Sequence, residues 1–240
     1  MRAGLQAYFA QFRALSETYW SSHVERGLEE FRDRGIGGAT WASGTRWKPG
    51  LPQVEIDRIE AEFGAKFPGE YRAFLATLNA PDRPAHWYLY QGSVIEPAPD
   101  GNIFCDWTED FADARRAERK LISGILFDVE HGAIWQDEWG IRPRDHSELA
   151  AHITSLVENA PKLVPLHSHR FLVAGLDLEP APVLSIMQSD VIYYAESIEH
   201  CLAADFPDLA PGLEPPEVTV DEAACLEALR AVPFWGGLLS

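Results

Sequence analysis

No run of about 20 consecutive apolar residues occurs in the 240-residue chain, so a membrane-spanning helix is not expected. The opening MRAGLQAYFAQFRALSETYW is amphipathic. Arg13 and Glu17 interrupt what would be a signal core, which leads to the expectation of a cytoplasmic protein. Cysteine is sparse: Cys105, Cys201 and Cys225 are odd in number, far apart and without a CxxC pair. That pattern argues against a disulfide framework or a zinc motif and for buried thiols. Gly35, Gly37 and Gly38 make neither a P-loop nor a GxGxxG fingerprint, and Ser185 and Ser189 sit in no GxSxG elbow. Nucleotide and serine-hydrolase chemistry therefore have no motif to stand on. Positive charge is scarce in residues 171–240, where twelve Asp or Glu face Arg230 alone, giving −11 of the net −17. Such a field repels nucleic acid and anionic membrane and attracts cationic partners, and it serves solubility equally well.

Two distant segments carry the strongest pattern. In GLPQVEIDRIEAEFGAKFPGEYRAFLATLNA, residues 50–80, Pro52 suits a first helical turn, Ile56, Ile59 and Phe63 share a face, and Gly64 stops the helix. Pro68 opens a second helix with Tyr71, Phe74, Leu75 and Leu78 as its stripe, so an αα-hairpin is predicted. In APVLSIMQSDVIYYAESIEHCLAADF, residues 181–206, β-branched and aromatic residues flank Gln188, Ser189 and Asp190, which predicts a β-hairpin. Glu196 and Ser197 then begin a helix carrying Ile198, Cys201, Leu202 and Phe206.

Around these, residues 3–33 have a helical apolar pattern (Leu5, Phe9, Phe12, Leu15, Tyr19, Val24, Leu28, Phe31), broken near Ser21 and Ser22 and ended by Gly35. Residues 35–50 form a loop that Trp41 and Trp47 anchor. Strands are predicted at 86–91 and 103–107, separated by the turn-forming EPAPDGN, then a helix from Thr108 to about Leu121. Further strands are expected at 124–129, 133–136 and 163–166, and a helix at 147–159. Four prolines make 207–219 a stiff connector into a final helix over 221–231.

The order LP..EI..IE..FG..FP.EYR.FL...N, then the Trp- and Gly-containing ILFDVEHGAIWQDEWGIRP at 125–143 and LVPLHSHRFL at 163–172, then PVLSI..SDVIYYAESI..CL...F, resembles the SUKH superfamily. That superfamily includes the fungal Smi/Knr cell-wall regulators and many bacterial immunity proteins. The resemblance covers about residues 50–206, with Phe67 where Leu is commoner and Ala80 where Gly usually follows the Asn. It implies one α+β domain, a mixed or antiparallel sheet flanked by helices. The organisation expected is an N-terminal helical extension and Trp-containing loop over 1–50, the SUKH-like domain over 51–206, and a connector with a C-terminal helix over 207–240.

The resemblance further implies a protein that binds protein without catalysis. In the bacterial branch, members neutralise a cognate polymorphic toxin, often a nuclease, by stoichiometric occlusion. The alternative is an intracellular regulatory or adaptor module of the Smi/Knr type. A remote third is a metal-dependent hydrolase built on His167 and His169, which share a face if both lie on a strand but have no third ligand at a diagnostic spacing. The carboxylates Asp128, Glu130, Asp137 and Glu138 near His131, Trp135 and Trp139 have no nucleophile organised around them. No catalytic residue, cofactor or metal is therefore expected. The partner is expected to be a basic toxin domain, with no direct nucleic acid or membrane contact, and the chain itself a monomer or weak dimer. Candidate partner contacts are Asp177, Glu179, Tyr193, Tyr194, Glu196 and Glu199: acids for steering, and a tyrosine as the anchor.

Overall fold

Four consecutive strands, the first two buried on both faces, set the architecture. They are β4 (Leu163–His167), β5 (Arg170–Val173), β6 (Val183–Met187) and β7 (Asp190–Ala195), and they pair antiparallel in the order β4-β5-β6-β7. Because successive side chains point to opposite faces, Val164, Leu166 and Leu172 enter one core while Leu163, Phe171, Val173, Leu184 and Ile186 enter another. A sheet covered on both sides reads as near-continuous apolar runs, as LVPLH and RFLV do. The computed structural model describes residues 4–22, 38–88, 94–95, 103–209 and 212–240.

The first core is roofed by α1 (Leu5–Ser22), α2 (Gln53–Phe63), α3 (Gly69–Thr77) and α6 (Ile198–Asp205). Helix α1 turns Leu5, Tyr8, Phe9, Phe12, Ser16 and Trp20 inward at helical spacing. Trp20 packs on Trp41 and Trp47 with ring centroids 4.9 and 5.7 Å away, and Trp47 donates its indole N–H to Ser16 at 2.8 Å. Both tryptophans are anchors, but Trp41 ends a strand, Gly38–Trp41, where a loop was expected, because the segment pairs antiparallel with Ala85–Tyr88. The predicted αα-hairpin forms as α2 and α3: Gly64 closes α2 in the left-handed region at φ 79°. Gly50 admits no side chain, because a Cβ there would lie 2.2 Å from the Ala76 carbonyl oxygen. That close approach lets Leu51 N–H bond the Leu75 carbonyl at 2.7 Å.

The second core lies between the opposite sheet face and α4 (Ala112–Glu130), α5 (His146–Asn159), α7 (Glu222–Arg230) and α8 (Trp235–Leu238). A second, three-stranded antiparallel sheet joins β1 (Gly38–Trp41), β2 (Ala85–Tyr88) and β3 (Val94–Ile95). The protein is thus an α+β fold with antiparallel sheets flanked by helices and an N-terminal helix outside the segment of resemblance.

Several local expectations are corrected. Residues 124–129 form the end of α4 rather than a strand, because Leu121, Ile125 and Val129 recur every four residues and all face the second core. Residues 133–136 lead into a 3-10 turn at Asp137–Trp139 and form no strand. Within 103–107 only Phe104 bridges, to His167. Thr108 does not open α4; its N–H and hydroxyl bond Asp106, and the helix begins four residues later. The predicted strand at 86–91 is described only to Tyr88, and the EPAPDGN turn, Val24, Leu28, Phe31 and Gly35 lie outside the described residues.

Candidate functional site

Among the described residues, a dense group of chemistry-bearing side chains sits where α6 meets the first-core face of the sheet. Ser197 caps α6 by accepting the His200 N–H, and the helix then places Cys201 and Asp205 one turn apart on one face. A bulge between Pro165 and His167 ends β4 and turns His167 toward them, with its ring 5.2 Å from Phe104 and 5.5 Å from Phe206. Ser168 takes a left-handed φ of 50° in the turn that follows, so His169 does not share a strand face with His167. The histidine pair seen in the sequence is split by that turn.

Asp205 is the centre of the group. Arg170 grips it with Nε to Oδ2 at 2.8 Å and Nη2 to Oδ1 at 3.0 Å, and donates its remaining Nη1–H to Ser185 at 2.8 Å. Tyr194 donates its hydroxyl to Oδ1, and its ring lies 3.5 Å from the guanidinium carbon. His167 Nε2 stands 3.1 Å from Oδ2, and Cys201 Sγ lies 3.7 Å from both. Burial raises the Asp205 carboxyl, but hydrogen bonds from His167, Arg170 and Tyr194 outweigh it and hold the group well below the usual carboxylate range. Burial pushes the Cys201 thiol up, with the Asp205 charge adding to it, and pulls His167 down. The thiol is therefore protonated at neutral pH and is no activated nucleophile, although it lies beside a histidine.

The other acids singled out in the sequence are held by local partners or lie exposed. Asp128 accepts the Ser189 N–H and hydroxyl at 3.0 and 2.6 Å, pinning the β6–β7 turn on α4. Glu130 pairs with His146 at 2.5 Å, while Asp137 and Glu138 lie exposed in the 3-10 turn. Trp139 is buried against Phe234, with centroids 5.4 Å apart, as a structural tryptophan.

The six expected partner contacts are dispersed. Asp177 and Glu179 are exposed along a 710 Å³ groove beside the N-terminus of α3. Tyr193 is half-buried on the second-core side, its hydroxyl raised by burial and by the charges of Cys225, Glu196 and Glu222. Glu196 is half-buried and pairs with His200 at 3.1 Å. One assignment is corrected. Glu199 is fully buried, because it follows the Ser197 cap on the inward face of α6, so it contributes nothing to an acidic surface. Tyr194 is engaged by Asp205 and Arg170 and braces the sheet.

Apolar surface lies elsewhere on the same sheet. Ile192 is 41% exposed and Met187 54% exposed, and Ile192 pairs directly with Ser185, which pairs in turn with Arg170. Cross-strand partners share a face, so this aliphatic surface borders the Arg170 cluster. Alternation along SDVIYYA could have flagged Ile192. Nothing local in the sequence marks Asp205, whose partners lie 35 or more residues upstream apart from Tyr194 and Cys201.

No family model, curated protein or solved structure matches the chain. No described helix is long and apolar enough to cross a membrane.

Proposed function

We propose that this chain is a non-enzymatic protein-binding domain of the SUKH type, an immunity protein that neutralises a cognate bacterial toxin by stoichiometric binding in the cytoplasm. The observation that carries this reading is the contrast across one sheet face. The polar groups at its centre are turned inward and hydrogen-bonded to one another, while Met187 and Ile192 beside them face solvent. An enzyme needs a reactive group offered to a cleft, and a binding protein needs apolar anchors with steering charge around them. Asp190 stands exposed opposite Met187, and Glu196 follows the end of the same strand. The partner that suits this edge is basic, as a nucleic-acid-cleaving toxin domain is.

The resemblance quoted from residues 50–206 supports the immunity role over a general adaptor, because the Trp- and Gly-containing middle looks like that of the bacterial branch. The test is complex formation with the product of the gene immediately upstream. Co-purification as a 1:1 complex, resolved by size exclusion with light scattering, is expected. A neighbourhood without a toxin gene, together with binding to a host regulatory protein, would favour the adaptor role instead.

A further inference from the structure

We infer that His167 Nε2, Cys201 Sγ and Asp205 Oδ2 form a binding site for a thiophilic divalent cation of the zinc class. The three atoms come from positions 167, 201 and 205, are largely shielded from solvent, and all lie within 4.8 Å of one another. Their separations are 3.1 Å for nitrogen to oxygen and 3.7 Å for sulfur to either. Around a tetrahedral zinc bonded to nitrogen and oxygen at about 2.0–2.1 Å and to sulfur at about 2.3 Å, neighbouring ligand atoms stand roughly 3.2–3.8 Å apart. The triangle comes within about 0.2 Å of one face of that tetrahedron, with a fourth position left to water.

Two further observations set this triangle apart from a chance contact. Cys201 and Asp205 project from the same face of one helix, so a rigid element fixes two ligands at constant spacing. Asp205 is also oriented from behind: Arg170 and Tyr194 hold Oδ1, and Arg170 Nε steadies Oδ2 while that oxygen faces His167 and Cys201. Such outer hydrogen bonds are the usual support of a ligating carboxylate. The donor set also selects the metal, because a thiolate with an imidazole disfavours magnesium and calcium, which prefer oxygen alone.

Without metal, a thiol, a neutral imidazole, a carboxylate and a guanidinium sum to zero. Binding releases the Cys201 thiol proton to solvent and moves the His167 ring proton from Nε2 to Nδ1, leaving the site at +1. Affinity should therefore rise with pH. The bound cation would join α6 to the end of β4, a structural role independent of the proposed binding function. His169, the second histidine of the sequence pair, is not part of the set.

The test uses the full chain stripped by a chelator and titrated with cobalt(II) at neutral pH. One equivalent should bind with a near-ultraviolet thiolate-to-cobalt charge-transfer band, and zinc should displace it. Zinc at about 100 times its Kd should raise Tm by about 5–10 °C. Cys201→Ser should abolish the band, whereas the Cys105→Ser, Cys225→Ser double variant, with Cys201 its sole thiol, should retain it. A wild-type chain with no such band, or a band that survives Cys201→Ser, overturns the site. Should a variant fail to fold, X-ray absorption on the zinc-loaded wild type decides: one sulfur with imidazole supports the site, and nitrogen or oxygen alone overturns it.

Discussion

Arg170 and Ile192 stand on opposite sides of Ser185 in one cross-strand row, so a buried guanidinium and an exposed aliphatic side chain are two strands apart on the same face. The row joins the interior that holds the sheet to the surface proposed to meet a partner.

Ile192→Glu and Met187→Glu should separate these roles. Both side chains are about half in solvent, so folding stability should fall by no more than about 1 kcal/mol in urea denaturation. Affinity for the upstream-gene product should fall about tenfold or more if these are anchors. Unchanged affinity in both variants would move the interface off this face.

Arg170→Met should act in the opposite way. It leaves the Asp205 carboxylate in its largely buried position without its bidentate partner, and breaking such a pair costs about 3–5 kcal/mol. A Tyr194→Phe variant, which removes a single donor to the carboxylate, should cost less, about 1.5–3 kcal/mol. Equal losses in the two would show that Asp205 does not depend on the guanidinium.

Acidification should weaken the fold in two windows. His167 and His169 are both lowered by burial, His169 to about 4, so the unfolded chain takes up protons first. Their contribution is present above the unfolded value of about 6.5 and is lost as pH falls from there through the folded values. Asp205 is depressed by its hydrogen bonds, so its contribution is lost only below the unfolded carboxylate value of about 3.9. Urea midpoints between pH 7 and 5 should fall in wild type and fall less in His169→Gln. A flat profile in the wild type would contradict this.

Phe12→Ala tests whether α1 belongs to the core. Its ring is fully buried, 5.9 Å from Trp47 and 5.4 Å from Phe206, so truncation should cost about 3–5 kcal/mol in denaturation experiments. A loss under about 1 kcal/mol would make α1 an appendage.

The elements legible in the sequence were those whose apolar spacing is unambiguous: Ile56, Ile59 and Phe63 on α2, the β6–β7 hairpin, and the prolines ahead of α7. ILFDVE misled because its β-branched and aromatic content suits a strand, while the four-residue recurrence from Leu121 through Val129 decides its state once a core is present. The Asp205 cluster was illegible for a different reason. Its members come from β4, β5, β6, β7 and α6, and only tertiary packing brings them together. Glu199 was misplaced because acidic composition does not say which side of a helix faces solvent.

The surface acids Asp177, Glu179 and Glu196 should govern encounter with the partner. Neutralising all three should slow association at low salt and matter little at high salt, since screening removes the attraction. Glu199→Gln should alter stability and leave the on-rate alone, because Glu199 is buried. Stopped-flow association across a salt series separates the two.

The central claim is tested most directly by growth. The product of the upstream gene is expressed in a susceptible bacterial host, alone and with this chain. Growth arrest in its absence and full rescue at equimolar chain, lost together with complex formation in Ile192→Glu, is the predicted result. Arrest that persists at an excess of folded wild-type chain would contradict neutralisation by stoichiometric binding.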